Sequence, residues 1–167
     1  MNAQILLEVG LISVMALITL TYISRSKASK GNKIQTFAIA LLGGFMILGG
    51  TAKFFQPFAT MFASQIELSG LPLPKLAKFA GQMGEITAGI MYLLLLTKGK
   101  FISVKLSEMV LNGATLLTVV IMTVAVYVHL SPNVPAEVLP FQSKPPVLTV
   151  IVMLISLGIL IANKRKN

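Results

Sequence analysis

Cysteine and tryptophan are missing from the chain, and histidine occurs once, as His129. Without a thiol there can be no disulfide, no thiolate nucleophile and no Cys-ligated zinc or iron–sulfur cluster, so redox chemistry would need a borrowed cofactor. One imidazole is poor material for a metal site, a haem or a nucleophilic triad. Charge is scarce as well. Of 167 residues only 11% are charged while 55% are hydrophobic, and the mean hydropathy is +0.85. A soluble domain of this size cannot hide that much apolar surface, so the expected surroundings are a lipid bilayer. The net charge of +9 would point to nucleic acid in a soluble protein. Here the lysines and arginines read first as topology signals, and no nucleic-acid partner is expected.

Five apolar segments are long enough to cross a bilayer, at about 4–24, 34–56, 74–97, 105–130 and 147–163. The connection after the first carries Arg25, Lys27, Lys30 and Lys33; the one after the third carries Lys98, Lys100 and Lys105; the tail carries Lys164, Arg165 and Lys166. Those patches hold ten of the fourteen cations. By the positive-inside rule the N-terminus lies outside and the C-terminus in the cytoplasm. The prediction is therefore an all-α polytopic membrane helix bundle, one domain over residues 1–167 with five spans. The first segment reads as an anchor helix with its N-terminus outside, not as a cleaved signal peptide. Its start has no cationic side chain, Glu8 interrupts it, and the positive charge follows it.

The two connections on the outer side have different chemistry. After Pro57, the residues Phe58, Met61, Phe62 and Ile66 fall on one helical face and Thr60, Ser64 and Glu67 on the other, which suits a short helix lying in the interface. The second connection, SPNVPAEVLPFQSKPP, is stiffened by its prolines and is expected to cap the bundle.

Within the spans, polar residues are few enough to weigh singly. Lys53 stands four residues before Pro57, near the outer boundary, where a lone lysine can snorkel to headgroups. Glu85, about ten residues or 15 Å into the third span, is too deep for that and must protonate, pair with a cation or face water. Lys53 is the basic residue available to it. Gly49 and Gly81 each stand four residues before their partner, and Gly84, Ala88 and Gly89 extend a small-residue surface for close approach of the second and third spans. The pair is then either a bridge that orients two helices or a binding pair in an outward-facing pocket. Gln82 and the Gln4–Glu8 pair are candidates for the same cluster. On the fourth span Glu108, Asn112, Thr115 and His129 suggest a bundle-facing stripe, with Glu108 at one interface and the His129 ring in the headgroups at the other. The nine methionines are scattered, as adaptable packing residues are. No catalytic residue and no metal site is assigned.

Two stretches, FAIALLGGFMILGGTAKFFQPFATMF and LSGLPLPKLAKFAGQMGEITAGIMYLLLL, resemble the DoxX-like family of small bacterial membrane proteins. The shared pattern is a helix closing on small-small-x-x-Lys, a GLP turn, then a helix with Gly-x-x-x-Glu and a leucine-rich end. The resemblance covers roughly residues 36–165 and implies a four-helix DoxX-like core, to which the first span adds an N-terminal transmembrane helix. It implies the bacterial inner membrane as location, Lys53 and Glu85 as recurring polar positions, and His129 as a looser match to a histidine of the third core helix. It implies no common reaction, since members are associated with quinone-linked thiosulfate oxidation, with oxidative-stress complexes and, in distant animal relatives, with receptor assembly. The expected function is a subunit or assembly or stress-related membrane factor without catalytic activity of its own. The alternatives are an accessory subunit of a quinone-linked oxidoreductase, with quinone as its ligand, and a minimal solute or proton transporter. Other membrane or redox proteins, or a second copy of the chain, are the partners such roles call for.

Overall fold

The computed structural model describes residues 3–25, 30–97 and 102–164. The flanking cations Lys27, Lys98, Lys100, Arg165 and Lys166 lie outside the described residues. Among the described residues the chain forms six α-helices: α1 (Ala3–Ser24), α2 (Lys30–Ala52), α3 (Phe58–Leu68), α4 (Pro74–Leu95), α5 (Val104–Leu130) and α6 (Val147–Lys164), with short 3₁₀ turns at Ala136–Val138 and Pro140–Gln142.

The ends of these helices follow from local chemistry. α2 stops at Ala52, four residues short of the predicted boundary at 56. There the backbone tightens into i to i−3 bonds, from Phe54 N–H to the Thr51 carbonyl at 3.0 Å and from Phe55 N–H to the Ala52 carbonyl at 2.9 Å. Pro57 has no N–H with which to carry the helix on. Lys53 thus sits in the turn just past the helix. α4 starts with Pro74 in its first turn, where a missing N–H costs nothing, behind Leu73 in the left-handed region at φ 52°. α5 is capped by Ser103, whose hydroxyl accepts from Leu106 N–H at 3.2 Å.

Four helices, α1, α2, α5 and α6, are long and apolar enough to cross a membrane, and the chain is a multi-span helical membrane protein. α4 has the same length as α1, 22 residues, but carries Lys75, Lys78, Gln82 and Glu85 within its first 12, which lowers its apolarity. It nevertheless packs inside the bundle, along α2 on one side and α5 on the other. α6 closes the arrangement by touching both α5 and α2, and α1 leans on α2 and on the proline-rich loop from outside this group of four. Leu42, Met46, Ala88, Tyr92, Leu111, Ala114, Met122 and Val152 form the core between them.

The small-residue surface serves three interfaces where one was expected. The close α2–α4 approach runs through Gly43, Gly50 and Gly89: a methyl on Gly89 would lie 2.6 Å from the Gly43 carbonyl oxygen, and one on Gly50 would lie 2.8 Å from the Gln82 carbonyl oxygen. Gly84 instead faces Ile121 of α5, and Gly81 faces the ring of Phe62 on α3, while Gly49 faces the Glu85 carboxylate. Neighbouring residues on a helix point about 100° apart, so glycines three to five positions apart need not share a partner.

α3 is amphipathic in the predicted sense, burying Phe62 and Ile66 against Val128 and exposing Thr60 and Glu67. Together with the loop 131–146 it covers one end of the bundle. Gln65 donates to the Val138 carbonyl, and Val134 and Leu139 are fully buried. Lys144, a bare cation in the sequence, donates to the carbonyls of Ser131 at 3.0 Å and Val134 at 2.7 Å and holds the loop folded.

Candidate functional site

Under that cover lies a half-enclosed cavity of about 530 Å³. Its walls come from every helix: Leu11 of α1, Phe45 and Leu48 of α2, Phe62 of α3, Gly81 of α4, Ile121 of α5 and Val152 of α6. Most of the lining is apolar. The polar exceptions are Lys53, Glu85, His129, Glu8, Gln65 and Thr149.

Lys53 and Glu85 meet in this wall. The ammonium donates to Glu85 Oε1 at 2.5 Å, with the two side chains 21% and 10% exposed. The same ammonium stands 4.4 Å from the centroid of the Phe62 ring, a cation–π contact that replaces part of its lost hydration. Gln82 donates from Nε2 to the Lys53 carbonyl at 2.9 Å, satisfying a group that the end of α2 leaves without a helical partner. Glu85 and Gln82 therefore both tie α4 to the turn after α2, one through the side chain of Lys53 and the other through its backbone.

His129 lies in the same cavity wall and is only 7% exposed, so its ring is packed inside the bundle and not in the headgroup layer foreseen for it. It stands one heptad beyond buried Met122, on the stripe of Thr115, Thr118 and Met122. Asn112 falls off that stripe and is exposed, Glu108 is half-buried, and Thr115 is buried in the other half of the bundle. Glu8 lines the cavity, but its oxygens are engaged with the loop and its own helix: Oε2 accepts the Phe141 N–H at 2.7 Å and Oε1 accepts from Gln4 Nε2 at 3.0 Å.

Other polar positions were not foreseen. Gln65 belongs to neither face of the amphipathic pattern read for α3, and its tie to Val138 depends on a loop 73 positions away. Tyr92, fully buried, meets Ser156 with 2.5 Å between hydroxyl oxygens and donates to Thr115 Oγ1 at 3.5 Å, joining α4, α5 and α6. The hydroxyl of Thr118 is buried without a hydrogen-bond partner among the described residues.

Compared with protein-family models, with curated proteins and with solved structures, the chain gives no match.

The volume falls within the roughly 300–1,000 Å³ typical of small-molecule pockets, which are largely apolar with a few convergent polar groups. One ammonium faces one carboxylate, so the pair leaves the wall without net charge of its own. Lys53 has three N–H groups, of which one is given to Glu85, and the others can meet an acceptor oxygen in the cavity. Proximity of Phe62 and depletion of water strengthen such a bond relative to one in bulk solvent.

Proposed function

We propose that the chain is a non-catalytic membrane subunit of five spans that holds an uncharged lipophilic molecule against Lys53 and Glu85, in the outer half of the bundle. The observation that carries this reading is the cavity of about 530 Å³ with an ion pair in a mostly apolar wall, whose other carboxylate, Glu8, is already engaged by Gln4 and the Phe141 N–H. A charged ligand would add an uncompensated charge to a low-dielectric site. A neutral one with a carbonyl or hydroxyl oxygen would add only a hydrogen-bond acceptor. Quinones meet that description, and the resemblance of the Lys53 and Glu85 stretches to the DoxX-like pattern agrees with a role beside a redox complex. The fifth span is α4, whose buried polar residues Gln82 and Glu85 meet the turn after α2, and the cationic flanks then orient the N-terminus outward and the C-terminus to the cytoplasm.

A second reading has its own support. The Gln82 bond and the glycine contacts of α2 with α4 are what a helix-orienting device would use, and in that reading the pair serves assembly alone. Purification of wild type, Lys53→Met, Glu85→Gln and the double variant, with mass spectrometry of co-purifying lipophiles and thermal melting, separates the two. A neutral lipophile retained by wild type and lost from folded single variants supports the binding role. Its absence throughout, with stability lost in the singles and regained in the double, leaves the orienting role.

A further inference from the structure

Beside the main cavity lies a second of about 290 Å³, between the proline-rich loop and the first turns of α6. The two share five lining residues, His129, Pro140, Phe141, Leu148 and Thr149, so a single layer of side chains divides them. The walls of the smaller chamber are mainly prolines and aliphatic groups, and two of its residues, Val147 and Ile151, are exposed on α6. They stand one turn apart near the start of a helix that is apolar enough to span the membrane. The mouth of the chamber therefore opens on the exposed apolar flank of α6 near its start.

The dividing layer is held in place with some care. Phe141 has a left-handed backbone at φ 53°, ψ 14°, a conformation unfavourable for a bulky residue, and its N–H is held by the Glu8 carboxylate of α1 at 2.7 Å. Gln4 adds a bond to the Leu139 carbonyl at 3.3 Å, and Gln142 donates back to Gln4 Oε1 at 3.3 Å.

Resting on the pocket reading above, we propose that the two cavities form one elongated site for a single-tailed neutral lipophile. Its oxygen-bearing head lies against Lys53, and its hydrocarbon tail passes between Phe141 and Leu148 into the smaller chamber and out to the bilayer beside Val147 and Ile151. The ligand class is narrowed accordingly. A compact apolar molecule would leave the second chamber empty.

The test uses the full-length wild-type chain in lipid nanodiscs with a decyl-substituted benzoquinone carrying a diazirine at the tail end. After irradiation, peptide mapping should place the label on residues 147–151 and on Phe141, with loss of label when unlabelled decyl-benzoquinone competes. Label confined to the α5 wall of the inner cavity, at Leu117 or Val120, would overturn the tail route while leaving the pocket standing. Label scattered over lipid-facing residues without competition would overturn both. A second arm narrows the exposed mouth of the smaller chamber with Ile151→Phe, and with Val147→Phe in case the first does not fold. Affinity for the tailed quinone should fall about tenfold, equivalent to losing contact with roughly two methylenes, while the tail-less parent binds as in wild type. Equal effects on both quinones would overturn the assignment.

Discussion

Lys53 and Glu85 each depend on the other for a reason that can be given a magnitude. Removing one partner of a buried pair leaves the other charge in an environment that solvates it poorly, at a cost of about 3–5 kcal/mol when burial is complete. Glu85 is the more enclosed of the two, so Lys53→Met is expected to cost about 3 kcal/mol and Glu85→Gln less, because Lys53 keeps some access to water. The double variant should be less destabilised than the sum of the singles in a thermodynamic cycle measured by thermal or denaturant unfolding in detergent. Additivity would show that the two side chains do not interact in the folded protein. Two hydroxyls deeper in the bundle make an opposite pair of cases. Tyr92→Phe breaks contacts to Ser156 and Thr115 and should lower stability by about 0.5–1.5 kcal/mol, the usual range for hydrogen bonds between membrane helices. Thr118→Val removes a buried hydroxyl with no partner among the described residues while keeping its shape, and should raise stability by about 1 kcal/mol. A loss at Thr118 would mean that the hydroxyl has a bound water or other partner.

Between helices in a bilayer there is little hydrophobic drive, and fit decides the contact. α2 and α4 approach so closely that an added methyl at Gly89 would meet backbone atoms at 2.6 Å and 2.8 Å. Gly89→Ala is therefore expected to push the helices apart at a cost of about 1–3 kcal/mol, and to loosen the Lys53–Glu85 contact with them. Gly158, on α6, has nothing within 4 Å of the position its methyl would take. There alanine should be neutral or stabilising by up to about 1 kcal/mol, from helix propensity alone. Melting curves of the two variants side by side provide the check, and equal losses would locate the effect in the helices themselves and not in their seam. Of the four candidate spans α1 is the least buried, and it packs mainly on α2 and the loop, with Gln4 and Glu8 as its polar attachment.

For the whole molecule the open quantity is the number of crossings. With five spans residues 24 and 133 lie on opposite sides of the membrane, whereas four spans without α4 put them on the same side, so accessibility of these two positions decides it. The chain has no cysteine, and Asn133 and Ser24 are both exposed. A membrane-impermeant thiol reagent should label Asn133→Cys in intact cells and Ser24→Cys only after permeabilisation. Labelling of both from one side would remove α4 from the set of spans, and labelling of both in intact cells would overturn the N-out orientation as well. The same orientation puts the cavity and its cover outside, where a lipophile in the outer leaflet can reach them.

Much of this was legible in the sequence. Composition alone excluded a soluble fold and thiol chemistry, and the positions of the long helices followed from apolar length, because a bilayer demands about 20 residues of hydrocarbon-compatible helix whatever they pack against. The pairing of Lys53 with Glu85 was readable for a similar reason: a carboxylate that deep has few alternatives, and one lysine stood within reach. The division of the glycines among three neighbours was not readable, nor the burial of His129, nor the ties from Gln65, Lys144 and Glu8 to the loop. Those depend on the rotation of each helix about its axis and on how a proline-rich segment folds back, both set by contacts between residues far apart in the chain. Periodicity places a side chain on a face of its own helix; only the assembled bundle decides what that face meets, and with it the existence of a cavity.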